Sequence, residues 1–220
     1  MIDRCLALFR PNDASVNSVL LLMRLYRLRP NAILMFSFML LLCTPLLAQK
    51  TVFEVVPAQT QIQFTLGATM HTVHGTFKLK RGTVEFDPRT GKASGLVVVD
   101  VTSGETGNGG RDHKMHKDIL QSDHYPEATF TPAQIKGSLS PQGDSQVEVQ
   151  GVFNLHGGDH PLTLTFQVHR SGDQLTARTR FAIPYLKWGL KNPSTLFLRV
   201  SDQVDMDIQA VGRLSPATQH

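Results

Sequence analysis

The chain has 220 residues, with 22 lysines and arginines against 18 acidic residues, 41% apolar residues, nine histidines and two cysteines. Both cysteines, Cys5 and Cys43, precede residue 49, so the remaining 172 residues carry no disulfide, thiol nucleophile or cysteine-ligated metal site. Residues 1–48 also hold five arginines and two acidic residues; without them 17 basic residues face 16 acidic ones, which removes the electrostatic case for nucleic-acid or anionic-membrane binding.

Arg24, Arg27 and Arg29 stand ahead of an apolar run from Ala32 to Leu47 that ends at Ala48. A positive segment, an apolar segment too short to span a bilayer comfortably and then a small residue form the layout of a secretory signal peptide, with cleavage expected between Ala48 and Gln49. Residues 1–22 carry Asp3 and Asp13, which are foreign to such a leader and point to Met23 as the true start. An uncleaved membrane anchor is the alternative; a lipoprotein at Cys43 is disfavoured by Leu42, where a small residue is needed. The expected organisation is an N-terminal extension plus signal peptide over 1–48, then one domain over 49–220, periplasmic or secreted. Export without a disulfide requires a fold stable on core packing alone.

From Lys50 onward the chain alternates. "QIQFTL" sets Ile62, Phe64 and Leu66 on one side and Gln61, Gln63 and Thr65 on the other, the period of a strand with one dry face. The same holds for Val84 and Phe86; for Val97, Val99 and Val101; and for Leu162, Leu164, Phe166 and Val168. It returns at Leu175, Ala177, Thr179, Phe181 and Ile183, and at Val204, Met206, Ile208 and Ala210. Turn signals separate these runs at "DPRTGK", "SPQGDS", "HGGDHP" and "RSGDQ". Short connections imply antiparallel meanders, and about eight such strands favour a closed barrel or a sandwich. Alternation leaves open whether the interior is hollow or filled.

One stretch breaks the pattern. In "GRDHKMHKDILQSDHYP", Asp112 is placed to cap a helix, Met115, Ile119 and Leu120 recur at helical spacing, and Tyr125-Pro126 closes the segment. "GETGNGG" before it lacks the Lys-Ser/Thr ending of a phosphate loop and reads as a plain connection. His113 and His116 lie one helical turn apart and are candidate metal ligands, with His124, Glu127, His71 or His74 to complete a shell. There is no HExxH motif, and a solvated helix face is the simpler reading. A GxSxG motif is also absent, and general acid–base work by His116 with Asp112 or Asp118 is weaker still.

"PYLKWGLKNPS" holds the single tryptophan, Trp188, between Lys187 and Lys191. Two readings stay open: a rim where the indole meets ligand, or a packed corner plugging one end of a barrel.

Taken together, several segments resemble the YceI-like polyisoprenoid-binding family. The most specific is "TGNGGRDHKMHKDILQSDHYPEATFTP", similar to that family's Gly-Asn, Arg-Asp, Met-His and Tyr-Pro marks at Gly107, Asn108, Arg111, Asp112, Met115, His116, Tyr125 and Pro126, with the strand residue Phe130 following. "QIQFTL" leading to "VHGTF" and "GTVEFDP", then "GVFNLHG", "YLKWGLKNPS" and "VSDQVDMDIQAVG" continue in the family's order, with Lys187 where one branch has an acidic residue. The resemblance implies an all-β fold: an antiparallel eight-stranded lipocalin-like barrel with one helix, about 110–121, in a long connection. It implies an exported, non-enzymatic protein without a cofactor that sequesters or carries a long isoprenoid lipid of polyprenyl or quinone type.

The candidate tunnel wall is then Phe64, Leu66, Phe77, Val97, Val99, Met115, Ile119, Phe153, Leu164, Phe166, Phe181, Ile183 and Trp188, with His74, Arg111, His116 and Lys187 as candidate polar mouth residues. Transient membrane contact and a homodimer stay open as partners beside the lipid. The alternative function is a periplasmic metal-binding or stress-related module using His113, His116 and His124. A filled barrel with a purely structural role is the blandest reading.

Overall fold

The computed structural model describes residues 50–69, 71–194 and 199–217. The expected leader, its cleavage point and both cysteines lie outside these residues.

The alternating runs form nine strands among the described residues: β1 (Thr51–Val55), β2 (Gln61–Gly67), β3 (Thr72–Phe86), β4 (Ala93–Glu105), β5 (Glu127–Lys136), β6 (Gly143–Leu155), β7 (Gly158–Ser171), β8 (Gln174–Ile183) and β9 (Val204–Pro216). From β2 to β9 each strand pairs antiparallel with the next, and β2 pairs with β9 to close the ring. The result is an eight-staved barrel closed by the β2–β9 ladder, in which β7 and β8 pair only over Gln167–Ser171 and Gln174–Arg178. One stave is made of two pieces. β1 fills the gap between the C-terminal halves of β3 and β9, β2 fills the gap between their N-terminal halves, and a single 3-10 turn, Pro57–Gln59, separates the two. Pro57 suits that break, because it has no N–H to give to a sheet ladder.

Side-chain direction follows the pleat. On β8, Leu175, Ala177 and Ile183 are buried while Arg178 and Arg180 are exposed, the dry-inside, wet-outside division of a barrel in water. Gly75 on β3 shows what the close packing demands. It pairs with Phe64, and a Cβ at Gly75 would lie 2.3 Å from the Phe64 ring and 2.6 Å from the Glu105 carbonyl. Only glycine leaves room for that ring to swing inward and meet Phe77 at 5.2 Å between centroids.

The β6–β7 hairpin turns on His156 and Gly157, at φ 53° and 77°; two successive positive values match the right-handed twist of the flanking strands. The segment between β4 and β5 contains the helix. It begins as α1 (Gly109–Lys114) and continues as a π-helical turn over Met115–Leu120, ending at Gln121 in the left-handed region. Its cap is Asn108, whose side chain accepts a hydrogen bond of 3.0 Å from Arg111 N. Asp112, the expected cap, lies inside the first turn and reaches back to Thr106, so the helix starts slightly earlier than its sequence pattern indicates.

Candidate functional site

The barrel is hollow. A cavity of about 530 Å³ occupies the end where β2, β4, β6 and β8 finish, and a second of about 170 Å³ occupies the opposite half. We call these the upper and lower chambers. The two share five wall residues, Ile62, Val99, Phe153, Phe181 and Ile208, which form a waist. The waist lies where the composite stave is broken, since Ile62 follows the 3-10 turn by three residues.

The lower chamber is walled by apolar side chains with one exception, Thr60. The upper chamber is apolar along its depth, and its polar wall groups are His71, Thr106, Arg111, Lys114 and Tyr185. No carboxylate lines either chamber among the described residues.

Twelve of the thirteen candidate wall residues lie in this wall. Phe64, Leu66, Phe77, Met115, Ile119 and Ile183 border the upper chamber; Val97, Leu164 and Phe166 the lower; Val99, Phe153 and Phe181 both. Trp188 is outside it. Its indole stacks on the inward-pointing His160 ring at 4.0 Å and 6° and stands 5.9 Å from Phe153, so it packs behind the wall as a plug. The mouth differs more. His74 points outward, because its neighbours Val73 and Gly75 take the inward positions of β3, and it bonds Thr65 at 3.1 Å. His71, in the preceding turn, lines the chamber instead. Lys187 is exposed and forms no part of the wall. Of the four candidate polar residues, Arg111 alone borders the chamber, and Lys114 joins it from the next helical turn.

His116 has a different task. Its Nε2 lies 2.8 Å from the Gly104 carbonyl and its Nδ1 3.1 Å from Ser122 Oγ. A carbonyl only accepts, so Nε2 carries a proton, and in the neutral ring Nδ1 accepts from the serine; both ring nitrogens are occupied. Gly104 has no side chain for a further reason: a Cβ there would lie 2.5 Å from Phe77 and 3.0 Å from Met115. The helix therefore sits directly on β4 with Met115 pressed into the chamber. Thr106 completes the anchor by donating its N–H (3.0 Å) and hydroxyl to Asp112 Oδ1, while its own Oγ1 and carbonyl accept from Arg111 Nε (2.7 Å) and Nη2 (3.0 Å). At the far end the Tyr125 ring packs against His156, 4.2 Å between centroids and tilted by 41°, and His156 Nε2 meets Gln121 Oε1 at 2.9 Å.

The histidines do not converge. His113 and His124 are exposed, and no group of three or more His, Cys, Asp or Glu side chains is arranged for a metal among the described residues. Glu127 is engaged elsewhere: Lys80 donates to it at 2.7 Å, Arg81 stands at 3.8 Å, and the lysine hydrogen bond holds its carboxyl below the usual carboxylate range.

Some wall residues had no distinct signal in the sequence. Tyr185, Leu190 and Pro193 reach the upper chamber because the segment after β8 folds across the barrel end. Tyr185 is buried there and donates to the Ser201 carbonyl at 2.6 Å; burial, and secondarily Asp202, raise its phenol above the usual value. Thr179 is the reverse case. Its inward position is legible from alternation, yet its hydroxyl is buried with no partner among the described residues.

Residues 53–212 match the family described as YceI-like domain. The chain belongs to the YceI-like family. It is 34% identical to Protein YceI of Shigella flexneri over 103 residues, 46% of this chain and 51% of that protein. It is 35% identical to a UPF0312 protein of Pseudomonas syringae pv. syringae over 94 residues, 42% of this chain and 47% of that one. The matched part spans about half the length of these relatives.

Among solved structures, BcnA of Burkholderia cenocepacia superposes with a TM-score of 0.59 at 20% identity, covering 71% of this chain and 98% of that one. A domain of Saccharophagus degradans described as polyisoprenoid binding gives 0.56 at 17% identity, covering 74% and 98%. Both share the YceI-like barrel fold.

Proposed function

We propose that this YceI-like barrel binds and carries a long isoprenoid lipid, of polyprenyl or quinone type, with the chain in the tunnel and any head group at the upper mouth. The observation that carries the reading is the wall: two adjoining chambers lined almost wholly by aliphatic and aromatic side chains, with the polar groups Arg111, Lys114 and His71 in connections at the upper end. Such a wall removes hydrocarbon from water at roughly 25 cal/mol per Å², enough to retain a long tail without directed bonds. The likeness to a polyisoprenoid-binding domain supports the same ligand class. The helix closes one side of the tunnel, and the polar contacts of Thr106, Asp112, Arg111 and His116 hold it there. Binding, rather than catalysis, is the role this wall favours.

The test is native mass spectrometry of the full chain purified from its own host. The expected result is a co-purified isoprenoid lipid released on unfolding; repeated recovery of lipid-free protein from membrane-containing extracts overturns the reading. Export belongs to the same proposal. The leader-like layout of residues 23–48 supports it, and intact-mass measurement of the isolated protein should show a chain beginning at Gln49 in the periplasmic or secreted fraction. Cytoplasmic protein retaining residues 23–48 refutes export.

A further inference from the structure

The waist has a consequence for which lipid fits. Five side chains from β2, β4, β6, β8 and β9 form it, two of them the bulky rings of Phe153 and Phe181. All five border both chambers, so a chain that fills the upper chamber must pass between them to reach the lower one. The volumes set a scale. A cavity of about 150 Å³ accommodates benzene, roughly 25 Å³ per carbon. On that scale the upper chamber, about 530 Å³, holds roughly 20 carbons and the lower, about 170 Å³, roughly 7 more. In isoprene units, that is roughly four above the waist and one below it.

Resting on the lipid-binding reading above, we infer that the ring of Ile62, Val99, Phe153, Phe181 and Ile208 measures ligand length, and that the tunnel discriminates isoprenoid chains by length only up to about 25 carbons. The lower chamber takes only the last unit. Beyond it, Phe86, Leu139, Val168 and Leu175 pack at the base among the turns between β3 and β4, β5 and β6, and β7 and β8. A longer chain therefore leaves its surplus at the mouth, where it gains little apolar burial. The fifth unit is recognised differently from the first four, because only it depends on the waist being passable.

The experiment is pairwise competition between equimolar all-trans prenyl alcohols of 15, 20, 25 and 45 carbons, with bound fractions read by native mass spectrometry. For the unaltered protein, the bound fraction should rise several-fold from 15 to 20 carbons and again from 20 to 25, then stay level from 25 to 45. Val99→Phe narrows the waist and should abolish the step from 20 to 25 while keeping that from 15 to 20. Ala177→Phe fills the lower chamber from a wall position outside the ring and should abolish the same step, so the inference does not depend on one variant folding. A continued several-fold rise from 25 to 45 carbons, or an unchanged step from 20 to 25 in either folded variant, overturns the length gauge while leaving lipid binding intact. No binding at any length overturns the lipid reading, and the gauge with it.

Discussion

The two ends of the barrel are built from the same strands but finished differently. At the lower end the connections are short: 87–92, 137–142 and 172–173. At the upper end two are long, 106–126 and 184–203; the first contains the helix, and the second lays Tyr185, Leu190 and Pro193 against the chamber. Short turns pull strand ends together and leave a small, almost wholly apolar chamber. Long connections cost little more loop-closure entropy than short ones and fold inward as a cover. The comparison teaches that packing at the lower end maintains the fold, while the upper end, with the larger cavity and the polar residues, adapts the fold to a ligand.

The sharpest way to break that division is truncation at each end. Leu164→Ala, at a buried residue of the lower wall, should cost about 2–5 kcal/mol in urea unfolding, because it removes apolar contacts and enlarges the void beside it. Met115→Ala, in the upper wall, should cost about 1–2 kcal/mol yet weaken lipid retention several-fold more than Leu164→Ala does. If both variants lose stability and retention equally, the two ends have no separate roles.

A smaller effect is expected at Gly75. Gly75→Ala places a methyl against the Phe64 ring and the Glu105 carbonyl, and should lower stability by about 1–3 kcal/mol in the same assay. Neutral behaviour there would show that the upper wall is loosely packed. His116→Ala removes a donor from the Gly104 carbonyl and should cost about 1–2 kcal/mol. Its diagnostic readout is hydrogen exchange, which should quicken across 109–126 and stay unchanged in β6 and β7 at the lower end.

The mildest test is acid. Asp87 at the lower end accepts from Arg89 N at 2.8 Å, and that bond holds its carboxyl below the usual carboxylate range; Glu127, paired with Lys80 near the start of β5, is held below that range too. A folded-state value below the unfolded one contributes stability above the unfolded value and loses it as pH falls through the folded value. Melting temperature should therefore fall as pH drops below about 4.5 and both carboxylates become protonated. Both groups are partly open to solvent, so the shift is small, and Asp87→Asn and Glu127→Gln should each flatten part of it.

Much of this was legible in the chain alone. Alternation in "QLTARTRFAIP" fixes which side chains of β8 face inward, since a strand has one repeat and one dry face. The same rule points the ten strand residues among the candidates into the cavity, while Met115 and Ile119 reach it from the helix. The mouth was less legible, and His74 shows why. A histidine beside a turn reads as a mouth residue, but the pleat that turns Val73 and Gly75 inward sends His74 outward, and His71 in the preceding turn lines the chamber instead. Trp188 was undecided between rim and plug because its place depends on His160, 28 positions earlier, which no local pattern connects to it.

The sequence by itself determined the strand periods, the turns, the single helical break and the family, because these depend on neighbours within a few residues and on marks that keep their order. The tertiary structure decided the rest. That the barrel is hollow, that its cavity is divided by five residues from five strands, and that His116 anchors a helix rather than joining a histidine cluster all depend on how distant side chains fill one interior. Local periodicity says which way a side chain points; only the closed ring says what it meets there.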